Sequence, residues 1–181
     1  MFVMSGPSGV GKGTLREHAL KNIPDLVYSI SCTTRQPRTG ETDGVEYRFI
    51  SHEEFEAWIS QGLFLEHAHV HGEIYGTLKS DVESQLNLGK SVLLEIDVQG
   101  ALQVREKMPE AILIFIAPPS VDALRDRLLN RRTDSPQIIE LRLHNALREL
   151  ELQSEYDYVI VNDDLDFASR KLREIFDGEM R

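Results

Sequence analysis

One cysteine, Cys32, and one tryptophan, Trp58, are all that the 181 residues hold of either type. A lone cysteine excludes an internal disulfide framework and fits a reducing compartment. No apolar run approaches the ~18–20 residues of a membrane-spanning helix. The first residues also lack the basic-then-apolar layout of a secretory signal. These absences predict a cytoplasmic protein without membrane association. Positive charge is scarce as well: 20 Lys and Arg stand against 30 Asp and Glu, a formal net charge of −10. That excludes a general nucleic-acid binder, which carries a basic footprint, and argues against an anionic lipid surface. Repeats, low-complexity tracts and linker-like stretches are missing too. What remains is one domain spanning 1–181, long enough to bury a single core.

Among the 20 basic residues, 14 are arginine. The guanidinium is a planar fork that matches phosphate and carboxylate oxygens, so an acidic chain that prefers it has a use for specific anions. The charge is also segregated. Residues 1–38 hold five basic and two acidic side chains, and residues 121–132 hold four and two, while the rest of the chain is strongly acidic.

Short apolar runs alternate with helical spacings. Phe2–Met4, Ser91–Asp97, Ala111–Ala117 and Tyr158–Val161 read as strands. Thr14–Asn22, Asp81–Leu88, Val121–Leu129, Gln137–Gln153 and Leu165–Phe176 read as helices. Near-continuous apolar strands between helices predict an α/β fold with a parallel sheet covered on both faces. Residues 45–77 break the rhythm. Val45–Ile50, Leu63–Val70 and Glu73–Thr77 look like strands of a small, mostly antiparallel lobe. Between them, Ser51 and Glu54 form a capping box opening a helix with Phe55, Trp58 and Ile59 on one face.

Gly6-Pro-Ser8-Gly9-Val10-Gly11-Lys12-Gly13-Thr14 follows the first strand and opens the first helix, the context a phosphate-binding G-x-x-x-x-G-K frame requires. Its glycines allow backbone N–H groups to turn onto phosphate oxygens, and the helix N-terminus adds partial positive charge. Lys12 reaches the β- and γ-phosphates in such a frame. Gly13 stands where Ser or Thr is usual, and Thr14 is the nearest hydroxyl. The strand ending in Asp97 resembles the second strand of a nucleotide site, where an acid serves the Mg²⁺ shell or a substrate group.

Residues Ser31 to Tyr47 place Arg35 and Arg38 three apart across Pro37, so that two forks can clamp one phosphate, with the Tyr47 hydroxyl beside them. His67, His69 and His71 alternate along one predicted strand and so share a face, but no further cysteine or acid completes a convincing metal set. Cys32 reads as a bystander, and Tyr28, Phe64 and Trp58 read as core rather than base-stacking platforms.

Taken together, GPSGVGKGT, S-x-T-T-R-x-P-R-x-G-E-x-x-G-x-x-Y from Ser31 to Tyr47, Leu65-Glu66 with Tyr75-Gly76-Thr77, Glu95 to Gly100, Arg127 to Arg142 and Val161 to Asp164 resemble the guanylate kinase family over essentially the whole chain. The resemblance implies a P-loop kinase core (1–31, 85–123, 145–181), a GMP-binding lobe (32–84) and a helical lid (124–144). It implies phosphoryl transfer from ATP to GMP, with dGMP as a further acceptor and Mg²⁺ as cofactor. It places Gly6, Ser8, Gly9, Val10, Gly11, Lys12, Gly13, Thr14, Arg127, Arg131 and Asn162 on ATP, with Asn162 at the adenine end. Ser31, Arg35, Arg38, Tyr47, Glu66, Tyr75, Thr77 and Asp97 go to GMP. Lys12, Arg35, Arg127, Arg131 and Arg142 are the implied catalytic cations. The metal ligands stay open, with Thr14 and Asp97 as possibilities beside ATP phosphates and water. Monomer and homodimer are both open.

The implied guanine reader is chemically sound. Guanine presents N1–H and N2–H₂ side by side, and one carboxylate, Glu66, accepts both. Adenine would leave that buried acceptor unpaired, at a cost of several kcal/mol. Two rival readings are a non-catalytic scaffold domain of the same fold and a P-loop kinase with another acceptor. The first sheds the arginines and the phosphate loop; the second lacks the Ser31–Tyr47 set with Glu66.

Overall fold

Successive side chains leave a strand on opposite faces. In Phe2–Ser5 (β1), Phe2 and Met4 enter one apolar cluster and Val3 enters another. A strand buried on both sides belongs inside a covered sheet. The computed structural model, which describes residues 1–21, 23, 25–70, 72–130 and 135–180, builds that sheet. After β1 the chain forms α1 (Lys12–Leu20), β2 (Leu26–Tyr28), β3 (Cys32–Thr33), β4 (Arg48–Phe49), α2 (His52–Ser60), β5 (Phe64–Val70), β6 (Glu73–Leu78) and α3 (Lys79–Asn87). It continues as β7 (Ser91–Glu95), α4 (Val98–Lys107), β8 (Ile112–Ala117), α5 (Val121–Asn130), α6 (Pro136–Glu151), β9 (Tyr158–Val161) and α7 (Leu165–Glu179).

Strands β2, β7, β1, β8 and β9 lie side by side in that order, all parallel. One face packs on α1 and α7: Phe2, Met4, Leu93, Ile114 and Ile116 meet Leu15, Ala168, Leu172 and Phe176. The i, i+4 spacing of the last three makes one buried stripe of α7. The other face packs on α3 and α4: Val3, Val92, Leu94, Leu113 and Phe115 meet Val82, Val98, Ala101 and Val104. The α/β architecture is the one expected.

A second sheet has the order β4-β3-β6-β5; β3–β4 is parallel and the other pairings antiparallel. Its apolar side, with Cys32, Phe64, Ile74 and Leu78, closes under Phe55 of α2. That helix is capped as expected, Ser51 Oγ accepting from Glu54 N at 3.0 Å. Phe64 stacks on Phe55 with centroids 4.4 Å apart, a core role. α5 and α6 pack on each other through Leu124, Leu128, Ile139, Leu143 and Ala146.

Some expectations shift. The strand expected at Val45–Ile50 shrinks to the two residues of β4 and an isolated Asp43–Tyr47 bridge. The strand expected to reach Asp97 ends at Glu95, and Asp97 instead caps α4, its Oδ1 accepting from Gly100 N at 2.9 Å. No helix among the described residues is long and apolar enough to cross a membrane.

Candidate functional site

The chain leaves β1 at the C-terminal edge of the parallel sheet, where ligands of open α/β sheets bind, and turns at once. Gly6 has φ +142°, and a Cβ there would meet the Ile116 carbonyl of β8, 3.1 Å from its carbon. Gly11 caps α1 at φ +98°, with Asn162 Nδ2 only 2.6 Å from where its Cβ would be. Only glycine fits either place. The loop is held from behind. Asn162 donates its amide to the Val10 carbonyl at 2.7 Å, and Arg127 donates to the same carbonyl at 3.2 Å and to Asn162 O at 2.7 Å. Lys12 Nζ donates to Gly6 O at 2.6 Å and Pro7 O at 3.1 Å. Arg142 reaches across from α6 to Ser8 Oγ at 3.1 Å.

A second cluster of cations and hydroxyls stands on the second sheet. Arg35 Nη2 pairs with Glu41 Oε1 at 2.8 Å, and Glu41 Oε2 accepts from Arg38 N at 2.7 Å. One carboxylate thus holds the fork of one arginine and the main chain of the other. Hydrogen bonding from Arg35 holds the Glu41 carboxyl below its ordinary range. Tyr47 packs edge-on to Tyr75 at 5.8 Å, and the Arg35 guanidinium stands 5.4 Å from the Tyr47 ring. Burial pushes the Tyr47 phenol up, so it is a hydrogen-bond donor at neutral pH.

Glu66 reaches the same space by way of a β-bulge. Phe64 pairs with Leu78 but Glu66 pairs with Thr77, so β5 takes two steps where β6 takes one. Directly paired residues share a face, so the bulge turns Glu66 away from the Phe64 face and onto that of Thr77 and Tyr75. There it is 2 % exposed, and Thr77 Oγ1 donates to Glu66 Oε1 at 2.6 Å. Burial raises the Glu66 carboxyl to about 7, against the opposing pull of the Thr77 bond.

One cleft of about 510 Å³ joins the two clusters. It is lined by Gly6, Ser8, Gly9, Gly11, Lys12, Gly13 and Thr14 from the loop, by Ser31, Arg35, Arg38, Tyr47, Glu66 and Tyr75, and by Asp97 and Arg142. Thr77 is not in that lining and meets it through its hydrogen bond to Glu66. Val10, Arg127 and Asn162 stand behind the loop rather than in its lining, and Asn162 is 6 % exposed. Arg131 and His71 lie outside the described residues. His67 and His69 pair with Gly76 and Ile74, on the face opposite Glu66, and no group of three metal-type side chains occurs among the described residues.

Four further acids line the cleft, Glu41, Glu73, Glu95 and Glu149, none of them among the site residues that the sequence predicts. Glu95, at the end of β7, stands 3.8 Å from where a Gly13 Cβ would be, and its other oxygen is 3.6 Å from Arg16 Nε. The signal in the sequence is an acid closing the strand beside β1, obscured because SVLLEID stays strand-like as far as Asp97. Glu149 comes from the last turn of α6, and burial pushes its carboxyl up.

The guanylate kinase family model matches residues 1–179. The chain belongs to the guanylate kinase family. A guanylate kinase of Desulfitobacterium hafniense (strain Y51) is 49% identical over 179 residues, covering 99% of this chain and 90% of the relative. One of Clostridium perfringens (strain 13 / Type A) is 46% identical, covering 99% and 83%. The crystal structure of guanylate kinase from Anaplasma phagocytophilum superposes with a TM-score of 0.81 at 37% identity, covering 99% of this chain and 85% of that one. The guanylate kinase likeness therefore extends over both sheets and the α5–α6 pair.

Proposed function

We propose that the cleft of this ATP:GMP phosphotransferase divides its substrates between its two clusters, the loop and its braces taking ATP and the second sheet taking GMP. The observation that carries this division is the single cleft holding the Lys12 loop, the Arg35–Arg38–Tyr47–Tyr75 group and the buried Glu66 together.

The reaction moves the γ-phosphoryl of ATP to a phosphate oxygen of GMP, giving ADP and GDP. That oxygen is already largely dianionic at neutral pH, because a phosphomonoester's second pKa is about 6. No strong base is needed; the work is alignment and charge neutralisation around a loose phosphoryl group. Lys12 leaves the Gly6 and Pro7 carbonyls for the β- and γ-oxygens. Arg142 already sits on the loop at Ser8, and Arg127 and Arg131 complete the cationic set. Arg127 and Asn162 serve ATP through the Val10 carbonyl they hold. Arg35, Arg38, Tyr47 and Tyr75 hold the GMP phosphate. Glu66 accepts N1–H and N2–H₂, with Ser31, Thr77 and Asp97 around the base. Since this set addresses base and phosphate, dGMP is an acceptor too.

Mg²⁺ fits the donors present. The Thr14 hydroxyl and the Glu95 and Asp97 carboxylates are hard oxygens in the lining of one cleft, the kind of ligand Mg²⁺ takes alongside phosphate and water. When bound, the ion neutralises charge on the β- and γ-phosphoryl oxygens. Residues 32–84 act as the GMP lobe and 124–144 as the lid, closing to keep water from the phosphoryl group. A cytoplasmic site of action belongs to this reading, supported by a buried free thiol at Cys32. Lys12→Ala tests the division: phosphoryl transfer should be lost in a folded protein that still binds GMP. Full activity would contradict it.

A further inference from the structure

Helix α4 spends a glycine where helix formation asks for none. Gly100 lies in its first turn, three residues after the cap Asp97. Its backbone is absent from the positive-φ glycines of the chain, so any residue could adopt its conformation. Alanine would there favour the helix. The reason for the missing side chain is Glu66. A Cβ on Gly100 would overlap Glu66 Oε2, stand 3.0 Å from Glu66 Cδ and lie 3.3 Å from Asp97 Oδ1.

Glu66 has little room to retreat. Its other oxygen is held by Thr77 at 2.6 Å, and the residue is 2 % exposed. The strand that carries it is pinned to α4 from both flanks. Gln103 accepts from His67 N at 3.2 Å and donates to His67 O at 2.7 Å, while Lys107 donates to Leu65 O. With strand and helix tied together, the size of residue 100 decides where the carboxylate stands.

We infer that Gly100 is a positioning residue for base selection: by lacking a side chain it sets the Glu66 carboxylate at the one place where it accepts two adjacent donors of a purine edge. The inference rests on Glu66 reading the base. Gly100 acts on the carboxylate, so its replacement moves base recognition and spares the ATP side.

The experiment compares Glu66→Gln, Gly100→Ala, Glu66→Asp and the double variant Gly100→Ala/Glu66→Asp, measuring kcat and KM for GMP and AMP, KM for ATP and the thermal midpoint. Gly100→Ala should raise KM for GMP about tenfold or more and narrow the preference for GMP over AMP. Its kcat at saturating GMP and its KM for ATP should stay close to those of the parent, while its thermal midpoint should fall and be regained in the double variant, where the shorter acid relieves the overlap. Glu66→Asp withdraws the carboxylate by one methylene. It should raise KM for GMP in the parent, yet leave it unchanged or lower it in the Gly100→Ala background. Independent, multiplying effects would overturn the inference, as would an unchanged KM for GMP in Gly100→Ala. If Glu66→Gln raises KM while Gly100→Ala does not, the role of Gly100 fails alone; if Glu66→Gln changes nothing, the reading of Glu66 fails as well. Should Gly100→Ala not fold, the double variant must fold and use GMP, and its failure to do so also overturns the inference.

Discussion

The Thr77 hydroxyl donates to the buried Glu66 carboxylate at 2.6 Å, from the facing position of the neighbouring strand. The bond favours the ionised carboxylate against its burial. Thr77→Val keeps the shape and removes the donor. Its KM for GMP at pH 7 should rise about tenfold, the scale of one hydrogen bond to a buried charge, and recover at higher pH. A pH profile identical to the parent's would contradict this.

Glu66 itself supplies a pH dependence. Its carboxyl is raised to about 7, and the ionised form is the one that accepts the guanine donors. KM for GMP should therefore climb as pH falls through 7, with KM for ATP flat. GMP titrates near pH 6 by itself, so Glu66→Gln is the control: its weaker GMP binding should lack the step at 7.

The same shift makes a stability prediction. The folded state holds the Glu66 proton up to about pH 7, whereas the unfolded chain releases it near 4.3. Between those values the folded protein binds more protons, so stability falls as pH rises through the window. The penalty is complete above 7 and on the order of 4 kcal/mol. Glu66→Gln should accordingly be more stable than the parent at pH 8, with the advantage shrinking toward pH 5. Denaturant titrations at the two pH values measure it.

Arg35 and Glu41 are tied at 2.8 Å. Arg35→Ala removes a phosphate fork and should raise KM for GMP by about 10–100-fold. Glu41→Ala only loosens the fork and the Arg38 main chain, and should raise it less. Neither should move KM for ATP; equal effects on both substrates would reassign the cluster.

On the other side, Asn162→Ala removes the amide that holds the Val10 carbonyl at 2.7 Å. It should cost about 1–2 kcal/mol of stability and raise KM for ATP with KM for GMP unchanged. Thermal unfolding and initial-rate kinetics check both parts.

What the sequence made legible was local. Residues 6–14 carry their loop in nine consecutive positions, and Ser51 with Glu54 mark a helix start from neighbouring residues. The parallel sheet followed from apolar runs that need cover on both faces. What stayed hidden depends on distant packing. Asn162 meets the loop from 152 positions away, and Gly100 is explained only by Glu66 across the β5–α4 contact. α4 is not legible in the sequence because the first turn of VQGALQVREK holds a β-branched residue and a glycine, both poor helix formers. The β5 bulge reverses the alternation that strand reading assumes, so the face of Glu66 came from the family resemblance and not from period two.

The most direct measurement is ATP-dependent ADP release with GMP, dGMP, AMP, CMP and UMP compared side by side, in the parent and in Glu66→Gln. The parent should turn over GMP and dGMP far faster than the other three, and Glu66→Gln should lose most of that preference while keeping its KM for ATP. No release with GMP, or a preference that survives the loss of the Glu66 charge, would contradict the account.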